Sequence, residues 1–258
     1  MSDYNLRIIK EKLIEAGLKK GDTIFCHSSL GFFGMPDKEI IKNKLAEVFF
    51  DCLCEIVGPE GTLIFPTFTY TFSENKNEIF DPNYTKSKMG ILPEYVRQLP
   101  NSTRTMDPFY SSVIHGKLKE YFSNNIPNNS FGLNSVFDKF YRVNGKILNL
   151  NSPAGTLIHF FERKLSVKYR FDKDFGGEVF ISKKKQKIKW TIYVRDLSSP
   201  LYDFDPFPLV KYIKENKIAK FTSLGKGEIL TINCKDLYEA VKKNLLLNEW
   251  FLTKKYSE

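Results

Sequence analysis

The stretch Lys146-Ile-Leu-Asn-Leu-Asn-Ser-Pro-Ala-Gly-Thr-Leu-Ile-His-Phe-Phe-Glu-Arg163 joins an apolar run to a helical pattern through a short loop. Residues 146–150 have the composition of a strand. Ser152 followed by Pro153 predicts a helix N-cap with proline at the first helical position. Apolar residues then recur at helical spacing, at Leu157, Ile158, Phe161 and Leu165. We therefore predict a strand that leads directly into an amphipathic helix.

The predicted helix carries His159, one of only three histidines in the chain, and Glu162 three positions later. Side chains three apart lie on one face of a helix. A carboxylate that reaches an imidazole fixes its tautomer and raises its basicity, so the pair suits a general base with its orienting acid. A surface histidine in a helical ion pair has the same spacing, and the spacing alone leaves both interpretations open.

The order of strand, loop and helix recurs along the whole chain. This alternation favours an α/β fold, a sheet covered by helices. We find no repeat and no low-complexity linker, so we expect residues 1–258 to form a single domain. The predicted helices cover residues 4–16, 38–57, 92–99, 206–215 and 237–245. The predicted strands cover residues 23–26, 61–66, 111–114 and 146–150.

Length and composition set limits on the class of protein. The chain has 258 residues, of which 42% are hydrophobic and 15% aromatic, which is enough for a substantial core and excludes a disordered protein. The first residues are charged and no apolar run approaches about twenty residues, so we expect a cytoplasmic protein without a signal peptide or membrane span. Cys52 and Cys54 have the wrong spacing for a redox or zinc motif. We expect buried thiols and no metal.

A net charge of +9 predicts anionic partners. The one dense basic cluster, residues 183–189, lies between two strand-like runs at 178–182 and 190–194. This pattern favours a hairpin with a solvated tip over a nucleic-acid surface. Because no nucleic-acid-binding motif is present either, we expect small-molecule partners and no nucleic acid.

Two loops combine small or polar residues with a strand end, where α/β sheets bind ligands. In His27-Ser-Ser-Leu-Gly-Phe-Phe-Gly34, backbone N–H groups could approach a phosphate closely, although the glycines could equally serve the shape of a turn. In the loop 103–111, Arg104 could clamp a phosphate or carboxylate, and an internal pair between Arg104 and Asp107 is equally plausible.

Five segments stand out when the chain is taken as a whole. They are His27-Ser-Ser-Leu30 with Gly34, Gly61-Thr-Leu-Ile-Phe-Pro-Thr-Phe68, Phe80-Asp-Pro82 through Met89-Gly-Ile-Leu-Pro-Glu94 and Arg97, Arg104-Thr-Met-Asp-Pro-Phe-Tyr-Ser111, and Thr156-Leu-Ile-His159 with Glu162. In this order they resemble the signatures of the aminoglycoside 3-N-acetyltransferase family, also called antibiotic N-acetyltransferases. Tyr169-Arg170 and Asp203-Phe204 resemble weaker features of that family.

The resemblance implies coenzyme A-dependent transfer of an acyl group to an amine, in a three-layer α/β/α fold with a central mixed sheet, unrelated to the GNAT fold. The co-substrate would be acetyl-CoA or a larger acyl-CoA. His159 would be the catalytic base, with Glu162 as its partner, although Glu162 could equally contact Arg163, Arg170 or the substrate's amine. The implied coenzyme-binding residues are His27, Ser28, Ser29, Leu30, Gly34, Arg104 and Ser111. The implied substrate-binding residues are Thr67, Asp81, Asp107 and Thr156.

Two features of the sequence predict the substrate: departures from the family's fourth signature, and the net charge of the chain. Thr105 and Asp107 differ from the residues common in the family's fourth signature, and a +9 protein repels polycationic antibiotics. We therefore predict an amine on a nucleotide-linked deoxysugar. The alternative is an aminoglycoside acetyltransferase that confers antibiotic resistance, with an acidic pocket formed by Asp81, Glu94, Asp107 and Glu162.

Three further possibilities stay open at this point. A non-catalytic protein that binds an anionic ligand or nucleic acid is the alternative from another class. A metal site formed by His27, His159 and Glu162 is a weak alternative, because no third ligand has a recognisable spacing. A homodimer is possible. If the protein is an acyltransferase, Phe32, Phe33 or Phe68 could line the space for the acyl group.

Overall fold

The computed structural model describes residues 2–40, 44–74, 79–152, 155–181 and 184–256. Its centre is a seven-stranded sheet with the strand order β4-β5-β2-β1-β6-β10-β9. These strands are β1 (Thr23–Ser28), β2 (Thr62–Pro66), β4 (Thr103–Arg104), β5 (Ser112–Gly116), β6 (Lys146–Leu150), β9 (Lys220–Leu224) and β10 (Gly227–Asn233). Strand β1 pairs in parallel with both β2 and β6, whereas the outer pairs are antiparallel. The predicted mixed central sheet is confirmed.

Helices cover both faces of this sheet. On one face, α1 (Leu6–Glu15), α2 (Leu45–Val57) and α4 (Ile91–Arg97) bury their apolar sides against Ile24, Cys26 and Leu148. On the other face, α6 (Val136–Arg142), α7 (Thr156–Lys164), α8 (Phe207–Glu215) and α9 (Cys234–Leu247) pack against Phe25, Ile147 and Ile232. Alternate residues of a strand point to opposite faces, so each central strand contributes to both cores. The α/β/α layering is therefore as predicted.

A second sheet of three strands lies outside the central one, in the order β3-β7-β8. Strand β3 (Ile79–Phe80) pairs with β7 (Arg170–Ile181), and β7 pairs with β8 (Lys184–Arg195) over twelve residues. This is the predicted hairpin, although it is much longer than 178–182 and 190–194. Lys184, Lys185 and Lys187 near its tip are exposed. The remaining helices are α3 (Thr71–Glu74) and α5 (Lys119–Ser123).

Several helix starts differ from the prediction, and α7 and α2 begin later than expected. Helix α7 begins at Thr156 with Gly155 at the N-cap and no side-chain cap, so the Ser152 N-cap was wrong; Pro153 lies outside the described residues. The backbone N–H of Asn151 still bonds to Glu228 of β10, which keeps the chain at the sheet edge beyond β6. Helix α2 begins at Leu45 rather than at residue 38, and residues 41–43 lie outside the described part.

The structure also bears on membrane and metal binding. Within the described residues, no helix is long and apolar enough to cross a membrane. In the same ranges, no group of three His, Cys, Asp or Glu side chains could hold a metal ion. Cys26, Cys52 and Cys234 are buried free thiols, and Cys54 is half-buried.

Candidate active site

His159 and Glu162 meet on the face of α7 that is turned into the protein. The Nδ1 atom of His159 lies 2.7 Å from Oε2 of Glu162. The carboxylate is fully buried, whereas the imidazole keeps 20% of its surface exposed. The pair is therefore not the surface ion pair that the spacing also allowed. The imidazole is therefore held on its Glu162 side by the protein, and the rest of the ring is partly accessible to solvent.

Glu162 is held by two more side chains from the segment after α7. The Nε atom of Arg170 lies 2.7 Å from Oε2, and the hydroxyl of Tyr169 donates to Oε1 at 3.0 Å. Arg163, which also follows Glu162 closely, pairs with Asp172 instead. The charge of the buried carboxylate is thus balanced by Arg170, and its oxygens are occupied by three partners.

These contacts determine the protonation state of His159. Burial opposes ionisation of Glu162, but the hydrogen bond from His159 and the charge of Arg170 outweigh it, so the carboxyl pKa lies below its usual value. An ionised carboxylate only accepts hydrogen bonds, so Nδ1 of His159 carries the hydrogen. Burial and the Arg170 charge also lower the pKa of His159. The ring is neutral near pH 7, with a lone pair on Nε2.

Aromatic rings hold the imidazole from two sides. The rings of Phe131 and Phe204 lie edge-on to it, with centroids at 6.1 and 5.6 Å. Phe204 also lines an apolar cavity of about 300 Å³ between the sheet and α8. His159 does not line this cavity itself, but its neighbour Phe204 does, and the cavity is large enough for part of a ligand.

A second space is an open groove of about 1090 Å³ at the carboxyl ends of β1 and β2. Its walls include the segment His27–Phe32, the first turn of α2, residues 87–91 and Ser152. His27 and Ser152 line both the groove and the apolar cavity. The groove and the cavity therefore meet at these two residues.

His27 at this junction is only 3% exposed, and its ring packs against Phe25 and Phe68. Burial lowers its pKa to about 4. It is therefore neutral near pH 7. Ser28, Ser29 and Leu30 follow it along the groove wall, and their contacts with a coenzyme stay predictions.

Gly34 serves the shape of the loop rather than the groove wall. Its φ of +92° is strained for any residue with a side chain, and a Cβ atom there would lie 2.3 Å from the carboxylate of Asp3. The same carboxylate accepts a hydrogen bond from the backbone N–H of Met35 at 2.7 Å. Glycine is thus required for the turn itself.

The predicted ligand residues of the other loops are engaged in internal bonds. Arg104 donates to the Ser111 hydroxyl and to the carbonyls of Thr67, Pro82 and Thr85. The Ser111 hydroxyl in turn donates to the Thr67 carbonyl at 2.7 Å. These contacts give Arg104, Ser111 and Thr67 a structural role, in which the arginine ties three loops together. Their predicted contacts with coenzyme or substrate stay predictions.

The carboxylates of the predicted acidic pocket are engaged as well. Asp107 is buried and accepts from the backbone N–H groups of Phe109 and Tyr110 at 2.8 Å, rather than pairing with Arg104. Burial raises its pKa to about 6. Asp81 accepts from the N–H of Asn83, and Glu94 pairs with Arg97. Thr156, the first residue of α7, lines the apolar cavity.

Comparisons with known proteins identify the family of the chain. The sequence profile of the family described as aminoglycoside 3-N-acetyltransferase matches residues 26–246. The chain belongs to this family. Its enzymatic class is therefore acyl-CoA-dependent transfer of an acyl group to an amine.

Individual relatives of this acetyltransferase family are distant in sequence and close in fold. A curated relative, the SPbeta prophage-derived aminoglycoside N(3')-acetyltransferase-like protein YokD of Bacillus subtilis, is 27% identical over 199 residues, which cover 69% of this chain and 71% of YokD. The crystal structure of YokD superposes with a TM-score of 0.80 at 22% identity, covering 95% of this chain and 94% of YokD.

Two solved aminoglycoside acetyltransferases share the fold. AAC(3)-Xa has a TM-score of 0.80 at 20% identity and covers 93% of this chain and 92% of its own. AAC-IIIb, solved in a binary complex with CoASH, has a TM-score of 0.79 at 20% identity, with coverages of 94% and 96%. The predicted family fold is confirmed.

The sequence did not establish the roles of three site residues. Arg170 was only one of three alternatives for a contact with Glu162, and Tyr169 was noted only as a weak family feature, because both lie at the start of a polar strand without helical periodicity. Ser152 was assigned to a helix cap, and it instead joins the groove and the cavity. A chemical signal existed for Arg170 alone, because a buried carboxylate needs a cation nearby.

Proposed function

We propose that this chain is an acetyl-CoA-dependent N-acetyltransferase that acts on an amine of an aminoglycoside, with His159 as general base. One observation carries the proposal. The hydrogen bond from Nδ1 to a buried, ionised Glu162 leaves Nε2 of a neutral, partly accessible imidazole free to accept a proton. A base of this kind contributes about 10² to 10⁴-fold in rate.

The acceptor amine is mostly protonated near pH 7 and first releases one proton to the solvent. A base is then needed for the second proton, which the nitrogen loses as it attacks. The neutral amine nitrogen attacks the thioester carbonyl carbon, and a C–N bond forms as the C–S bond breaks. Nε2 of His159 accepts the proton that the nitrogen loses and returns it to the departing thiolate. The products are an N-acetyl amide and coenzyme A with a free thiol, so atoms and charges balance.

The open groove is suited to the coenzyme. The first turn of the thirteen-residue helix α2 borders it, and helix N-termini favour phosphates. Ser28, Ser29 and Leu30 would contact the pantetheine chain, whose thioester end would reach His27 and Ser152. Family membership supports this placement.

The acceptor is proposed from the family, whose name and curated relative both refer to aminoglycosides. These findings favour the antibiotic over the nucleotide-linked sugar that the departures and charge predicted. Beside the departures at Thr105 and Asp107, the net charge of +9 favours the nucleotide-linked sugar, because its pyrophosphate is anionic. Net charge describes the whole surface and not the site, so we rank the aminoglycoside first.

The test is thiol release from acetyl-CoA with two panels of acceptors, kanamycin-type antibiotics and nucleotide-linked amino sugars. We expect turnover with the antibiotics, and a higher kcat/KM with the nucleotide sugars would reverse the ranking. His159→Ala and His159→Asn should lower kcat/KM by about 10² to 10⁴-fold without unfolding the protein. The matched control is His115→Asn, because His115 lies on β5 outside the site and bonds there to Ser102. A folded His159→Ala protein with full activity would exclude His159 as the base.

A further inference from the structure

We propose that the apolar cavity beside His27 is a pocket for an acyl chain, so that the enzyme accepts acyl-CoA thioesters longer than acetyl-CoA. The inference rests on the proposed function, because it extends the acyl group of the same reaction. It assigns a use to a space that catalysis of acetyl transfer does not require.

The floor of the cavity is the sheet itself. Phe25 and Ile147 are register partners on β1 and β6, and Ile147 in turn pairs with Ile232 on β10. All three line the cavity. Residues two apart on a strand share a face, so His27, which follows Phe25 on that face, lies at the end of the same floor. The cavity therefore extends from His27 across three neighbouring strands.

The opposite wall is formed by α8. Leu209 and Ile213, four residues apart on one side of this helix, line the cavity together with Val210. Phe204 closes the end nearest to the catalytic histidine, since its ring also contacts His159. The walls are thus mainly aliphatic and aromatic carbon.

The position of the cavity relative to the groove identifies its occupant. His27 and Ser152 line both spaces, so a thioester placed at this junction directs its pantetheine into the groove and its acyl group into the cavity. The base that receives the amine's proton is adjacent to the same space through Phe204. A second ligand with its own entrance is not needed.

The chemistry of the lining favours an acyl chain over an ammonium group of the acceptor as the occupant. Transferring an ammonium group to an apolar site without a carboxylate is strongly unfavourable. Among the described lining residues the one carboxylate, Glu228, is exposed and pairs with Lys214 at 3.4 Å. A hydrocarbon chain, in contrast, needs no polar partner.

The size of the cavity is consistent with a chain of several carbons. Its volume of about 300 Å³ is about twice that of an engineered protein cavity that takes up benzene, a six-carbon molecule. Of the three phenylalanines that were candidates for this role, Phe32 is 73% exposed and Phe33 is buried in the opposite core. Only Phe68, whose ring contacts His27, is near the junction.

The decisive experiment compares acetyl-, propionyl-, butyryl- and hexanoyl-CoA as donors to one aminoglycoside, with thiol release as the readout. Each buried methylene should raise kcat/KM by roughly fourfold, up to hexanoyl-CoA. A tenfold or greater fall from acetyl- to butyryl-CoA would overturn the acyl-chain pocket.

A substitution that fills the cavity should change the donor preference. In Leu209→Trp the ratio of kcat/KM for hexanoyl-CoA to that for acetyl-CoA should fall by tenfold or more. The matched control is Lys211→Trp, because Lys211 lies on the same helix with its side chain 76% exposed, and it should leave the ratio unchanged. An unchanged ratio in a folded Leu209→Trp protein contradicts the proposal.

A binding measurement separates this inference from the proposed function. Hexanoyl-CoA should raise the Tm of the wild-type protein more than acetyl-CoA at the same concentration, without any acceptor present. Equal shifts overturn the pocket even if acetyl transfer occurs. Chain-length-dependent binding with no thiol release for any acceptor would instead uphold the pocket and refute the proposed reaction.

Discussion

The molecule contains two buried clusters around an arginine, and they differ in what they leave unoccupied. Around Glu162, the contacts with His159, Tyr169 and Arg170 use both carboxylate oxygens but only one nitrogen of the imidazole. Around Arg104, the guanidinium ends on a hydroxyl and on three backbone carbonyls. The first cluster leaves Nε2 of His159 available to accept a proton, whereas the second cluster connects loops through Arg104.

The two clusters also differ in how charge is balanced. Glu162 has a cation in contact, and its pKa is lowered in spite of burial. Arg104 contacts neutral groups, and burial lowers its pKa to about 9, which still leaves it charged near pH 7. A buried charge surrounded by oriented carbonyls, as at Arg104, stabilises the structure. A buried charge that positions a second titratable group, as Glu162 positions His159, is suited to catalysis.

The largest effect is expected for Glu162→Gln. An amide can donate to Nδ1 of His159, which would move the hydrogen to Nε2 and remove the base, and it leaves Arg170 without a counter-charge. We expect kcat/KM to fall by roughly 10²-fold or more and the free energy of unfolding to fall by about 3–5 kcal/mol. Steady-state kinetics and urea unfolding measure the two losses.

The control for Glu162→Gln is Asp172→Asn, which breaks the exposed pair with Arg163 and should cost at most about 1 kcal/mol. If both variants lost similar stability and neither lost activity, Glu162 would be an ordinary ion-pair partner.

The next largest effect is expected for Arg104→Met, which should lower the free energy of unfolding and leave the activity nearly unchanged. Removing the guanidinium leaves buried carbonyls without donors, so we expect a loss of about 3 kcal/mol in the free energy of unfolding, with kcat/KM within about threefold of wild type. Arg142→Met, at a side chain 44% exposed, is the matched control. A large rise in KM for acetyl-CoA with unchanged stability would show that Arg104 binds the coenzyme, as the family resemblance implies.

Histidine titration by NMR tests the protonation state on which the comparison depends. Burial lowers the pKa of His27 to about 4 and those of His115 and His159 below the ordinary value of 6.5. Because the unfolded chain then binds more protons at these three histidines, and the raised pKa of Asp107 offsets only part of this difference, the free energy of unfolding should decrease as pH falls from about 6.5 towards 4. The His159 signal, identified by its loss in His159→Asn, should titrate below 6.5. A value above 6.5 would mean that the base is protonated near neutrality.

The smallest expected effects come from removing one hydroxyl in each cluster, and they compare the functions of the two clusters most directly. Tyr169→Phe and Ser111→Ala each remove one buried hydroxyl, so both should lower the free energy of unfolding by about 1 kcal/mol. Only Tyr169→Phe should also lower kcat/KM, by a few-fold, because its hydroxyl holds the carboxylate that orients His159. Equal kinetic effects in the two variants would remove the functional difference between the clusters.

The local pattern of the sequence predicted much of the fold. Strands 23–26, 61–66 and 146–150 lie within or around β1, β2 and β6, because central strands that are buried on both faces are continuous apolar runs. The long hairpin was underestimated, because its first half alternates charged and aromatic residues that lie at the surface. Helix α7 starts late, since the pairing of Asn151 with β10, a long-range contact, extends the loop.

The site was predictable in part for the same reason. His159 and Glu162 are three residues apart on one helix, and helical geometry alone brings them into contact, so the sequence by itself determined this pair. It could not decide whether the pair faces solvent or the core. Burial of Glu162 depends on Arg170 and Tyr169, which reach it from β7 and the segment before it. Likewise, the junction at His27 and Ser152 is formed by the pairing of β1 with β6, and the wall of the apolar cavity by α8 from the distant C-terminal part. Spacing along one element fixes which groups can meet, whereas desolvation, pKa and cavity shape depend on neighbours that only tertiary packing supplies.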